Sequence, residues 1–258
     1  MLSFIWKRAT GGRIRGSGGP ALEHLHTADA IRDRMAGSGG HGFLRDWIFG
    51  GIDGAVTTFA VVSGAAGAAL EPGIVLILGT ANLLADGLSM GASNYLGTSA
   101  ERDELARAAA IERRHIEAVP AGERDEVREI FRRKGLHGAT LDAVVEQITS
   151  SRRQWVDTML AEEYGLPRTV RNPVLAGLST FSAFAVCGLI PLIPYLLWRP
   201  DAFVIACVLT GGIFFVIGAV KGAWSTHPWW RSAIETLIVG TAAAAAAYGA
   251  GSVLQGLA

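Results

Sequence analysis

The sequence predicts an all-α membrane protein, with five transmembrane helices and a cytoplasmic three-helix insert between the second and third. Three observations predict it. Half of the 258 residues are hydrophobic and only 18% are charged, whereas soluble domains carry about 25% charged residues. Those charges avoid five stretches of 19–26 residues, the length a helix needs to cross about 30 Å of hydrocarbon. Thirty-three glycines suit close helix packing in lipid. The balance of 23 Lys and Arg against 23 Asp and Glu excludes a generally basic nucleic-acid binder, so no nucleic-acid partner is expected. Two cysteines, both inside apolar runs, exclude a disulfide framework and a cysteine zinc site.

Residues 1–45 form an N-terminal arm with no apolar run long enough for a signal peptide, so no cleavage is expected. His24, His26 and His41 lie in this Gly-rich arm and receive no role. Residues 46–98 hold the first two spans, 47–70 and 73–96, joined by the turn Glu71-Pro72-Gly73. Residues 99–167 form the insert, and 168–258 hold the last three spans, at 174–198, 202–220 and 232–257. A turn at Trp198-Arg199-Pro200-Asp201 joins the third span to the fourth. The segment from Lys221 to Arg231, with His227, Pro228, Trp229 and Trp230, reads as an interfacial anchor. Of the 23 basic residues, all but Arg199 fall on one side of the predicted spans. That bias places the N-terminus and the insert in the cytoplasm and the C-terminus outside. The Ala-, Gly- and Arg-rich composition points to a bacterial inner membrane.

Within the insert, helix is expected to continue from the second span to Ala118, where Val119-Pro120 stops it. A second helix runs from Pro120 to about Lys134 and ends at Gly135. Thr140 is the expected N-cap of a third, which reaches Tyr164 with a break near Thr149-Ser150-Ser151. Glu123, Glu126 and Glu129 recur every three residues, close to one helix face. Glu112 and His115 form an i,i+3 pair, while Met159, Glu162 and Glu163 cluster on the last helix. The plainer reading of these carboxylates is a solvated face, since Arg124, Arg128, Arg132 and Arg133 are interleaved. The sharper one is a cation site that relieves the like charges. Glu112-x-x-His115 is also half of a carboxylate di-iron motif, but the insert has no second half.

Three acids lie inside predicted spans. Asp53 falls roughly 10 Å into the first, at about 1.5 Å per residue, and an aspartate at depth is a functional candidate by default. Counting from the hairpin turn puts Met90 at about the same depth on the second span. Asn82, Asp86, Met90 and Asn94 recur every four residues and form one stripe. A thioether beside carboxylate oxygens suits a borderline transition metal such as Fe²⁺. Glu235, just after Trp229-Trp230-Arg231, is either a pathway residue or an interfacial partner of Arg231 or Lys221.

The stretch from Arg45 to Phe59, RDWIFGGIDGAVTTF, resembles the first-helix motif of the vacuolar iron transporter family, and ANLLADGLSMG from Ala81 to Gly91 resembles its second. The resemblance covers about 43–248. It implies a homodimer of five-helix protomers with a cytoplasmic metal-binding domain, in a family that moves Fe²⁺, and often Mn²⁺, out of the cytosol in exchange for protons. Asp53 and Met90 match its pathway aspartate and methionine. Asn82 falls where some members carry a pathway glutamate, a charge that Asp86 can replace. Glu112, Glu123, Glu126, Met159 and Glu163 match its metal-binding positions, with His115 where a glutamate is usual and Leu160 in place of another. The insert is therefore expected to hold fewer ions, or to bind them with a different affinity, than a fully acidic member.

The expected function is proton-coupled metal export in iron homeostasis. The insert would collect metal, Asp53 and Met90 would carry it, and protonation of Asp53, Asp86 or Glu235 would release it. No enzyme activity and no tightly bound cofactor are expected, with Fe²⁺, Mn²⁺ or Zn²⁺ as substrate ions. Two facing hairpins would double the ligands, with Gly50, Gly54, Gly87 and Gly91 allowing the close approach. A membrane-bound ferroxidase or metal sensor acting through the insert stays open. So does a membrane interaction protein whose insert is a charged docking face.

Overall fold

The computed structural model describes residues 27–29, 31–32, 41–167, 169–222 and 228–257. The arm up to residue 26, with His24 and His26, and the 223–227 part of the proposed anchor, with His227, lie outside them. The described chain is helical: α1 His41–Gly67, α2 Pro72–Ala118, α3 Pro120–Arg133, α4 Gly138–Thr149, α5 Arg152–Glu162, α6 Pro173–Leu189, a 3₁₀ turn Ile190–Leu192, α7 Ile193–Leu196, α8 Ala202–Gly222 and α9 Trp229–Gln255. Five of these segments are long and apolar enough to cross a membrane: Phe43–Gly67, Pro72–Ala118, Pro173–Leu196, Ala202–Gly222 and Trp229–Gln255. The chain divides into two compact units, Tyr95–Pro173 and the remainder.

In the membrane unit, Phe59, Val62, Phe184, Leu192 and Phe214 form the centre of the apolar core. Small residues bring its helices together. A Cβ on Gly50 would stand 2.4 Å from the Thr180 carbonyl oxygen, and one on Gly54 would stand 2.3 Å from that of Phe184. Helices α1 and α6 therefore meet backbone to backbone, a contact only glycine permits. Gly87 and Gly91 face Phe181 and Phe184 of the same α6. This corrects the expectation that these four glycines line a contact between copies: within one chain they are already filled by the third span. The Asn94 amide donates to the Ala176 carbonyl at 3.2 Å and to Thr180 Oγ1 at 2.7 Å, tying α2 to α6 as well.

The third span is not one uninterrupted helix. Pro191 and Pro194 supply no N–H, and the chain passes through the 3₁₀ turn, where the Ile193 N–H reaches back to the Ile190 carbonyl. The first span starts at Phe43, earlier than the charges Arg45 and Asp46 suggested.

The insert unit has its own core, with Val127, Val145, Ile148, Trp155, Met159 and Leu160 at its centre. Pro120 opens α3 immediately after α2 ends, since proline suits the first helical turn and unsettles the residue before it. The expected third helix is two. It starts at Gly138 with Thr140 already in its first turn, so Thr140 is not the cap. At the break, Ser151 caps α5 by accepting from the Gln154 N–H.

Candidate metal sites

The insert gathers an acidic cluster from three helices. The last turns of α2 supply Glu112 and His115, α3 supplies Glu123 and Glu126, and the turn after α5 supplies Glu163, while Met159 packs in the apolar core of the insert. Glu112 is 1% exposed, Glu123 5% and Met159 0%, whereas Glu126 and Glu163 are open to solvent. His115 Nδ1 lies 3.5 Å from Glu123 Oε1, and the Tyr164 hydroxyl donates to Glu112 Oε1 at 2.8 Å. Glu112 and Glu123 are near enough to share a hydrogen bond. Yet two carboxylates are both acceptors, and Oε2 of each is buried with no donor. A buried acceptor without a partner is costly, so a proton or a cation has to stand between the two.

Electrostatics agree with this geometry. Burial first, then the charges of Glu112, Glu126 and Glu163, push the Glu123 carboxyl up to about 7. Glu163 is raised by burial and by Glu112 and Glu126, against the opposing influence of His115. The Tyr164 phenol is pushed up to about 12, by burial and then by its bond to Glu112. As placed, no three of the described His, Cys, Asp and Glu side chains meet the geometry for holding a metal ion.

The rest of the charge is surface chemistry. Glu129 pairs with Arg132 and Arg133 at 2.7 and 2.9 Å. Those two guanidinium groups hold its carboxyl down to about 2. Arg124 pairs with Glu146, Arg128 with Asp125, and Lys134 with Glu162. Of the glutamates spaced by three, only Glu123 is buried, because each step of three turns the helix about 60° further from the core. Leu160 packs inside the insert core.

In the membrane unit Asp53 is half-buried, as are Asn82 and Met90, and Asp86 is exposed. Asp53 lies ten residues beyond Phe43, about 15 Å into the span and deeper than the sequence suggested. It is fourteen residues before the end of α1 at Gly67, and fourteen residues after the start of α2 at Pro72 is Asp86. Asp86, not Met90, is thus the depth partner of Asp53, and the two carboxylates lie within electrostatic reach. Met90 sits about 6 Å further along α2, packed against the apolar core. The Asn82 amide nitrogen is buried without an acceptor. Glu235 pairs with Lys221 at 3.5 Å, so of its two readings the structure provides the ion pair.

Two residues escaped the sequence reading. Asp46, which marked the edge of a span, is 5% exposed and lies on the Asp53 face of α1, seven residues away; that spacing was the available signal. Tyr164 stood in the sequence only as a helix boundary, and nothing in its spacing announces a hydroxyl aimed at Glu112.

These features define a class: a multi-pass α-helical membrane protein with carboxylates inside its spans and a helical insert built around a buried acidic cluster. The sequence profile of the VIT family matches residues 44–252, and the chain belongs to that family. It is 34% identical over 225 residues to a vacuolar iron transporter of Toxoplasma gondii, covering 83% of this chain and 74% of the relative. It is 35% identical over 215 residues to vacuolar iron transporter 1 of Arabidopsis thaliana, covering 82% and 86%. To vacuolar iron transporter 1 of Oryza sativa subsp. japonica it is 30% identical over 238 residues, covering 91% and 93%. These relatives are eukaryotic proteins named for the vacuole, and they give no support to a bacterial inner membrane.

Proposed function

We propose that the chain transports Fe²⁺, with Mn²⁺ as a second substrate, out of the cytosol in exchange for protons. It acts as a homodimer with the N-terminus and the insert on the cytoplasmic side. The observation that carries this reading is the carboxylate pair Asp53 and Asp86. Each lies within a membrane-spanning helix, within electrostatic reach of the other, and residues 46–98 contain no Lys or Arg to neutralise them. Intramembrane charge without a counter-ion is costly, so protons or a divalent cation must take that place. Competition between proton and metal for one carboxylate couples the two flows.

The insert supplies the loading step. Its paired Glu112 and Glu123, with His115, Glu126, Met159 and Glu163, offer a mixed oxygen, nitrogen and sulfur set that suits Fe²⁺ over hard cations. A second copy is supported by Asp86. This residue lies on the open face of its span beside Leu84 and Leu88, 53% and 60% exposed, and a carboxylate facing lipid is disfavoured. A ferroxidase acting through the insert lacks the second Glu-x-x-His it would need.

Proteoliposomes with an imposed pH gradient test the proposal. Wild type takes up Fe²⁺ only with the gradient, while Asp53→Ala and Met90→Ala lose that uptake. Wild-type flux in either variant rejects the pathway, and oxygen consumption on adding Fe²⁺ to the purified protein favours the ferroxidase. Cross-linking through Leu88→Cys tests the dimer.

A further inference from the structure

The end of α5 places a hydroxyl on the cluster. Gly165 has φ of +65°, the left-handed conformation that closes helices. The Leu166 N–H reaches back to the Leu160 carbonyl at 2.9 Å, and the Glu163 and Tyr164 N–H groups both reach the Met159 carbonyl. This cap fixes the backbone of Tyr164, whose hydroxyl donates to Glu112 Oε1 while Oε2 is buried and free of donors.

We infer that Tyr164 is a positioning residue that makes Glu112 a one-oxygen metal ligand, biasing the insert toward transition metals and against Ca²⁺. The inference rests on the reading of the insert as a metal site and adds a determinant of its selectivity. Ca²⁺ takes six to eight oxygens and commonly grips a carboxylate through both. With Oε1 held by the phenol, Glu112 contributes its charge through Oε2 alone. Groups that orient a ligand in this way change metal affinity roughly 10- to 100-fold when removed.

The test uses the full-length protein purified in detergent, with Co²⁺ as the probe because its visible bands report coordination. Tyr164→Phe removes one oxygen and keeps the ring. The expected result is a Co²⁺ affinity about tenfold weaker, an altered visible band, and Ca²⁺ displacing Co²⁺ at lower concentration than in wild type. An unchanged band with an unchanged ratio of Ca²⁺ to Co²⁺ affinity overturns the inference, even if the melting temperature falls. Should Tyr164→Phe not fold, the infrared difference spectrum of wild type on adding Co²⁺ decides. A widened separation of the carboxylate stretches supports one-oxygen ligation, and a narrowed one overturns it. A wild-type chain with no Co²⁺ band at all rejects the metal site and this inference together, whereas a wild-type band unaltered in Tyr164→Phe rejects this inference alone.

Discussion

Glu112 and Glu123 are buried, whereas Asp53 is half-buried and Asp86 lies open on the surface of its span. The insert brings carboxylates, an imidazole and a phenol together. The membrane unit has two carboxylates, a half-buried thioether and a buried amide nitrogen, and of these residues it leaves Asp86 uncovered. The insert thus buries two of its carboxylates, while Asp53 and Asp86 of the membrane unit stay partly uncovered.

The sharpest way to break this comparison is to remove charge from one region and read both. In Asp53→Asn, Fe²⁺ flux in proteoliposomes should fall to the liposome background, with Co²⁺ binding by the insert unchanged. The reverse experiment, Glu112→Gln combined with Glu123→Gln, should weaken Co²⁺ binding at least about tenfold and leave flux at saturating Fe²⁺ largely intact. Loss of flux in both would mean that the two regions share one site.

A third prediction concerns pH. The Glu123 carboxyl is raised from 4.5 to about 7 in the folded protein, so the folded chain keeps a proton that the unfolded chain releases above 4.5. Stability of the metal-free insert is therefore fully present below pH 4.5 and declines as pH climbs toward 7. At 1.36 kcal/mol per pKa unit the ceiling is about 3 kcal/mol. Hydrogen exchange in α3 and α5, corrected for intrinsic rate, should show more protection at pH 5 than at pH 8, and added Mn²⁺ should restore it. Equal protection at both values would mean that the pair holds no proton.

The smallest expected effect is in packing. Gly54→Ala puts a Cβ 2.3 Å from a carbonyl oxygen, whereas Gly212→Ala meets nothing within 4 Å. The first should lower stability by about 1–3 kcal/mol, visible as a lower melting temperature in detergent, and the second should be neutral. A neutral Gly54→Ala would show that α1 and α6 are less tightly joined than described.

The helices were legible because their signals are local. Runs with at most one charge marked the spans, and Val119-Pro120 and Gly135 stopped α2 and α3 where expected. Ser151 was missed as a cap because a serine after a helix and one before the next look alike until the break is seen. The positions of Asp53, Asp86 and Met90 along the chain were legible. Their relative depth was not, because it depends on where α1 and α2 end at the hairpin, and the turn uses 68–71 instead of 71–73. The glycine contacts were misassigned for a related reason. A row of small residues shows that some helix comes close, but only the fold shows that Thr180 and Phe184 are there first.

That backbone-to-backbone contact has a mechanical consequence. At Gly50 and Gly54 no side chain can yield or change rotamer, so α1 cannot slide along α6 without carbonyl oxygens colliding with Cα atoms. Asn94 and Gly91 moor α2 to the same α6. Gly67 and Gly251 hold α1 against α9 in the same way, since a Cβ would stand 2.2 Å from the Tyr248 carbonyl oxygen and 2.0 Å from that of Gly64. Sliding of α1 along its axis is therefore resisted from two sides.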